Sequence, residues 1–281
     1  MTPSPAHDQV SHPAGHDILR TALGHAEAVL NGRLRAAFAI GSLAHGGFVP
    51  EVSDVDMALI VDRADEHTDE SIVTVRRHTI RDYAGSARHA LAERLSIFWS
   101  DWENLRTGHH AGRFPATDRL DLLDSGVLLY GGDQRATCAR PGHGDLLLDS
   151  ATFAAAKCAD PDHLRMLRDA DGLARKGARA VTKVVLLPVR LLYTVVTGAL
   201  GRNDTAAHWY TATPRTSGTL VHHAARWRTR GIADVTAAAD LLGHELLPLY
   251  RHSLDRIHHE VAASGHTDLA ARLARLHATL T

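Results

Sequence analysis

Two apolar runs, residues 36–40 and 57–61, are joined by a linker with Gly41-Ser42 at its start, Gly46-Gly47 in its middle and Ser53-Asp54-Val55-Asp56 at its end. Short apolar runs bounded by glycine and polar clusters read as buried strands. Strand side chains alternate between faces, so Asp54 and Asp56 project the same way, about 7 Å apart, while Val55 turns to the other side. Adjacent carboxylates at the head of an apolar strand hold protons more tightly unless a cation lies between them. Mg2+ meets that need: it takes oxygen ligands, commonly one or two carboxylates together with substrate phosphates. A nucleoside triphosphate is therefore the ligand to expect. Gly41 and Ser42 suit it, because glycine lets the backbone come close to a phosphate and a turn's N–H groups with a serine hydroxyl hold its oxygens.

In that order and at that spacing, Gly41-Ser42, Gly46-Gly47 and Ser53-Asp54-Val55-Asp56 resemble the signature of the DNA polymerase beta-type nucleotidyltransferase superfamily, in particular its aminoglycoside branch. The resemblance implies a metal-dependent transfer of AMP from ATP, or of another nucleotide, to a hydroxyl of a small molecule, with release of pyrophosphate and antibiotic resistance as one biological purpose. It places Asp54 and Asp56 on Mg2+ as catalytic ligands, and Gly41, Ser42 and Ser53 on the nucleotide. The superfamily also carries a third carboxylate on the neighbouring strand. In residues 94–100, RLSIFWS, the matching position is Ser96. Glu93 and Asp101 flank that strand, but by alternation both lie with Leu95, Ile97 and Trp99, opposite Ser96, Phe98 and Ser100. Glu93 is taken as the substitute ahead of Asp101.

With 281 residues the chain has room for two modest domains, and a net charge of −1 gives it no general attraction for a polyanion, so long nucleic acid is not an expected partner. Cys138 and Cys158 are too few for a disulfide framework, which favours a reduced, cytoplasmic setting. The most apolar run, residues 181–196, is interrupted by Lys183, Pro188 and Arg190, so no membrane span is expected. Residues 1–15, rich in Pro, Ser and His, read as a disordered arm. The histidine pairs His109-His110, His222-His223 and His258-His259 have no metal-ligand spacing, since neighbours on a helix point about 100° apart.

Helical periodicity over residues 16–30 and 71–94 alternates with strands up to about residue 130, where Val127 to Tyr130 end at Gly131-Gly132; residues 62–70 and 102–114 read as loops. Beyond the Pro and Gly at 141–144 nearly everything has a helical period. The fold expected is α+β: a nucleotidyltransferase domain over 16–143, a mixed sheet flanked by helices, and an all-α bundle over 144–281.

The helical half carries a second resemblance. Arg190-Leu191-Leu192-Tyr193-Thr194, Thr197-Gly198 and Ala206-Ala207-His208-Trp209 are similar to a phrase in the C-terminal domain of streptomycin/spectinomycin-type adenylyltransferases. There the arginine and a lysine before the Ala-Ala pair hold ATP phosphates. Arg190 takes the first role by similarity; the lysine's place is held by Asn203, beside Arg202. Two other functions fit the same fold: a nucleotidyltransferase acting on a protein or RNA, as in toxin and antitoxin pairs, and a non-catalytic nucleotide-binding homologue, which the Ser96 and Asn203 substitutions favour.

Overall fold

The structure, a computed structural model, describes residues 10–109 and 112–280, with the side chain of residue 66 left out. The chain divides into two compact units, one ending at Pro141 and one starting at Gly142. The first unit is built on a four-stranded sheet of order β3-β2-β1-β4, from β1 Leu34–Ile40, β2 Val55–Val61, β3 Leu95–Asp101 and β4 Val127–Gly131. β1 runs antiparallel to β2 and β4, whereas β2 and β3 are parallel. A parallel pair needs a crossover, and α3 (Glu66–Asp82) with α4 (His89–Ala92) supplies it.

Alternation assigns the two faces as the sequence indicates. Val55, Met57, Leu59, Leu95, Ile97 and Trp99 pack with Ile18, Leu19 and Ala22 of α1 (Pro13–Leu30) and Val75 of α3. Ala58, Ile60, Phe98, Phe38 and Ile40 form a separate cluster with Trp102 and Leu105 of α5 (Trp102–Thr107) and Leu122 of α6 (Ala116–Ser125).

Several expectations are corrected. α1 starts at Pro13, where proline fits the first turn, and His12 caps it, its Nδ1 accepting from the Ala14 N–H at 3.2 Å; the expected arm of residues 1–15 thus loses its end to a helix, and its residues 1–9 lie outside those described, as does His110. The helix expected over 71–94 starts earlier, because Asp65 and Thr68 form a reciprocal cap, and it breaks at Gly85, whose φ of +74° suits a left-handed turn. Residues 102–107, expected as loop, form α5 because Asp101 caps them.

The helical unit comprises α7 His143–Ala159, α8 Pro161–Arg168, α9 Ala170–Arg175, α10 Ala178–Thr197, α11 Asn203–Thr211, α12 Gly218–Arg230, α13 Val235–Ala263 and α14 Thr267–Thr279. α10 corrects the expectation that no segment reaches membrane-span length: by length and composition its 20 residues suffice. Its apolar side chains are nevertheless spent in the unit's core, where Val181, Val185, Val189, Leu192 and Val195 pack with Leu246 and Leu249 of α13. Pro188 lies inside α10 and has no N–H to give the carbonyl of Val184. The Tyr250 hydroxyl of α13 donates to that carbonyl at 2.9 Å, so the break in the ladder is filled by a neighbouring helix.

Candidate active site

Gly41 ends β1 and begins the short helix α2, Ser42–His45. Its φ of +66° lies in the left-handed region, and a Cβ built on it would stand 2.5 Å from Oδ2 of Asp56. Glycine is required there twice over, by conformation and by the carboxylate lying against it. Gly46 and Gly47 follow with φ of +83° and +82°, which turn the chain back towards β2. Asp56 is the second residue of β2, partnered by Ile40 on β1 and by Ser96 on β3, and Asp54 stands two residues earlier, just ahead of the strand. Both acids are half-buried, as is Ser42.

The structure therefore gathers Gly41 and Asp56 directly, with Asp54 and Ser42 as chain neighbours. Ser96 is the β3 residue in register with Asp56. Two residues stand apart. Ser53 is 4% exposed and its hydroxyl accepts from the Val49 N–H at 3.0 Å, so it shapes the linker instead of presenting its oxygen to a nucleotide. Glu93 ends α4 ahead of β3, with its side chain 58% exposed and its carboxylate 3.5 Å from the His89 imidazole. It lies in the turn ahead of β3, outside the strand, so neither strand register nor alternation carries it to the Ser96 side.

Asp101 is excluded on two grounds. It pairs with Val61 at the far end of β2, roughly 16 Å along the strands from Ser96. Its oxygens are also engaged, accepting from the N–H groups of Ala64 at 2.8 Å and Asn104 at 2.7 Å and from the Asn104 amide at 2.7 Å.

Sequence reasoning missed Asp121. This residue of α6 is 6% exposed, and its Oδ2 accepts from the Gly41 N–H at 2.6 Å. Helical phase does not distinguish it from Asp118 or Asp124; its partner lies 80 residues earlier in the chain. Arg113 was missed as well. Its Nη2 reaches Ser96 Oγ at 3.5 Å, its Nη1 donates to the Ile97 carbonyl at 2.8 Å, and its guanidinium covers the Phe98 ring at 4.9 Å.

A cavity of about 820 Å³ opens beside α2 and α6, bordered by Ala44, Leu123, Val127, Cys138, Arg135 and Arg140. Both arginines are engaged, Arg135 with Asp133 at 2.7 Å and Arg140 with Asp124 at 2.6 Å.

In the helical unit Arg190 is exposed, and its Nε donates to the Gly201 carbonyl at 2.7 Å. The Thr194 hydroxyl donates to the Arg190 carbonyl at 3.1 Å and accepts from the Gly201 N–H at 3.0 Å. A Cβ on Gly201 would come within 2.3 Å of that carbonyl, so the Arg-Thr-Gly spacing is needed for a closed backbone knot. Tyr193 and Trp209 meet edge to face at 5.5 Å.

No family model matches this sequence, and no curated protein matches it either. Among solved structures it is similar to the crystal structure of spectinomycin adenyltransferase AAD(9) from Enterococcus faecialis, solved with ATP and spectinomycin, over 82% of this chain and 98% of that one, at 14% identity and a TM-score of 0.53. This chain has the fold of that adenyltransferase. At so low an identity the likeness is one of architecture, and the placing of Gly41, Asp56 and Ser96 comes from the chain's own strand register.

The donor set fits a divalent cation of the Mg2+ kind. Asp54 and Asp56 offer hard oxygen ligands, both are accessible in part, and the glycine lets the Asp56 carboxylate lie where any larger residue would clash with it.

Proposed function

We propose that this chain is a nucleotidyltransferase that uses Mg2+ and moves AMP from ATP to a hydroxyl of a small, aminoglycoside-like molecule. The observation that carries this reading is the Asp56 carboxylate lying against Gly41, at the mouth of β1 and β2 in a fold shared with an adenyltransferase solved with ATP. In the reaction the acceptor oxygen bonds to the α-phosphorus, the bond from that phosphorus to the pyrophosphate oxygen breaks, and the acceptor loses its proton. Such transfers ask the protein for alignment and charge compensation more than for covalent chemistry. When bound, the metal neutralises charge on the transferring and leaving oxygens.

Asp54 and Asp56 hold the cation and the Ser42 hydroxyl binds the distal phosphates, while Gly41, whose N–H already donates to Asp121, keeps the corner clear of a side chain. Arg190, oriented by the Gly201 carbonyl, takes the phosphate-holding role that its resemblance gives it. Cys138 and Cys158 are both free, which supports a reducing, cytoplasmic setting. Purified protein with Mg2+, labelled ATP and a panel of aminocyclitols should release pyrophosphate, and Asp56→Ala should abolish the release. Undiminished turnover in that variant would remove the mechanism.

A second reading, a nucleotide-binding protein without catalysis, is favoured by Ser96 standing where the superfamily carries an acid. Calorimetry separates the two: tight binding of ATP with Mg2+ and no pyrophosphate with any acceptor would select the second.

A further inference from the structure

We propose that Asp255, His258 and His259, towards the C-terminal end of α13, form a binding site for a borderline-soft divalent cation of the Zn2+ kind. The site belongs to the helical unit and does not depend on the nucleotidyltransferase reading.

Adjacent histidines alone do not converge, because neighbours on a helix point about 100° apart. An acid three and four residues ahead of them changes that. Asp255 stands between the two rings, about 60° around the helix axis from His258 and about 40° from His259, so all three share one face. One ligand atom from each lies within 4.8 Å of the other two. Bonds of about 2.0–2.1 Å to a tetrahedral Zn2+ hold its ligands about 3.3 Å apart. Asp255 and His259 are exposed and His258 is half-buried, so small side-chain rotations close the set without moving the helix backbone.

Protonation suits the same use. His259 Nδ1 lies 2.7 Å from the Asp255 carbonyl, which can only accept, so Nδ1 carries the proton and Nε2 keeps its lone pair. Metal-bound imidazoles are commonly held in this way, by a bond from the other ring nitrogen. The Asp255 carboxylate lies 3.5 Å from that ring, and Arg256, next in sequence, is turned to Glu260 at 3.3 Å. Two imidazoles and one carboxylate suit Zn2+ better than Mg2+, which takes oxygen ligands, and three protein ligands leave a fourth position for water.

The pair His222-His223 on α12 provides an internal comparison. Its rings meet edge to face at 6.0 Å, much as those of His258 and His259 do at 5.2 Å. Thr219, however, holds the place that Asp255 holds on α13. The hydroxyl brings no negative charge, so the acid is what sets the α13 pair apart.

The test is isothermal titration of the full chain with Zn2+, in excess Mg2+ to occupy Asp54 and Asp56. His258→Ala and Asp255→Asn should each weaken the tightest Zn2+ binding at least about tenfold, with melting temperature in chelator unchanged. The double variant His222→Ala/His223→Ala should keep the wild-type affinity. Zn2+ should also raise the melting temperature of the native chain, and both single variants should lose that rise. No Zn2+ binding by the native chain, wild-type affinity in either single variant, or an equal loss in the His222/His223 variant would overturn the proposal. Asp255 is exposed, so Asp255→Asn gives an answer even if His258→Ala does not fold. Pyrophosphate release with Mg2+ alone should be the same in all these chains, so the failure of this site and the failure of the proposed reaction are read separately.

Discussion

The strand-bearing unit buries charged side chains, Asp101, Arg119 and Asp121, whereas the buried polar residues described in the helical unit are Ser150, His163, Thr182, Thr194 and Ser253. Taking an ion out of water costs several kcal/mol even after relaxation, so a chain built only for packing avoids it. The helical unit answers its buried polar needs with neutral groups: Thr194 ties Arg190 to Gly201, and Tyr250 fills the gap left by Pro188. In the strand-bearing unit charge collects where strands end and turn. Asp101 shows that such a charge can be wholly structural, a cap on α5, and Asp121 sits at the glycine corner that the proposed chemistry needs. Position relative to β1 and β2, more than burial itself, separates the two acids.

Substitutions can break that comparison. The largest effect should come at Gly41. Alanine there would take a left-handed conformation and push against the Asp56 carboxylate 2.5 Å away, and displacement on that scale should lower pyrophosphate release about 100-fold. Gly47 has a similar φ, +82°, but open space around it, so Gly47→Ala should cost only backbone strain, about 1–2 kcal/mol of stability, with turnover nearly kept. Equal losses of turnover would mean that conformation alone matters and that Asp56 has no special relation to Gly41.

Next comes Leu246→Ala in α13, where the fully buried side chain should cost about 2–5 kcal/mol by denaturant unfolding. Smaller again is Tyr250→Phe, about 1–3 kcal/mol, because the carbonyl of Val184 is left without its donor. Asp101→Ala should cost a similar amount through its lost cap and leave pyrophosphate release nearly unchanged. A steep drop in pyrophosphate release in Asp101→Ala would mean that its place at the far end of β2 does not set it apart from the Gly41 corner.

What could be read from sequence followed periodicity. A period of two assigns Val55, Met57 and Leu59 to one face and Asp56, Ala58 and Ile60 to the other, and the two clusters divide that way. Gly41 with its short linker to Asp56 is equally legible, because glycine spacing and strand alternation are both local. Glu93 was chosen as a flanking acid although alternation set it opposite Ser96, and it belongs to the turn before Leu95 instead of to the strand. Asp121 escaped because it is one acid among several in residues 117–124, and only its tertiary partner Gly41 distinguishes it. The cap of Asp65 and Thr68 lacks the acid that usually marks such a box, so the start of α3 looked like loop. Arg190 shows a mixed case. Its spacing to Thr194 and Gly201 is visible in the sequence, and the folded structure gives that spacing a packing cause independent of any ligand.

The smallest effect sharpens the claim that the helical unit keeps its interior neutral. The Tyr250 hydroxyl donates to the Val184 carbonyl, so it accepts from His163 Nε2, 3.1 Å away, which puts the imidazole proton on that nitrogen. Burial, aided by the charge of Lys157, lowers the His163 pKa below its usual 6.5. In the pH window between the lowered value and 6.5 the unfolded chain therefore binds more protons than the folded one. Stability is fully present above 6.5 and declines as pH falls, by at most about 1.4 kcal/mol per pH unit from this group. The hydrogen bond itself survives protonation, since an imidazolium still donates from Nε2, so the loss comes from desolvating the charge. His163→Gln keeps a donor without a titrating ring. Its denaturation midpoint should be flatter with pH than that of the native chain as pH falls below 6.5, and an unchanged slope would mean that His163 is not held neutral by its burial.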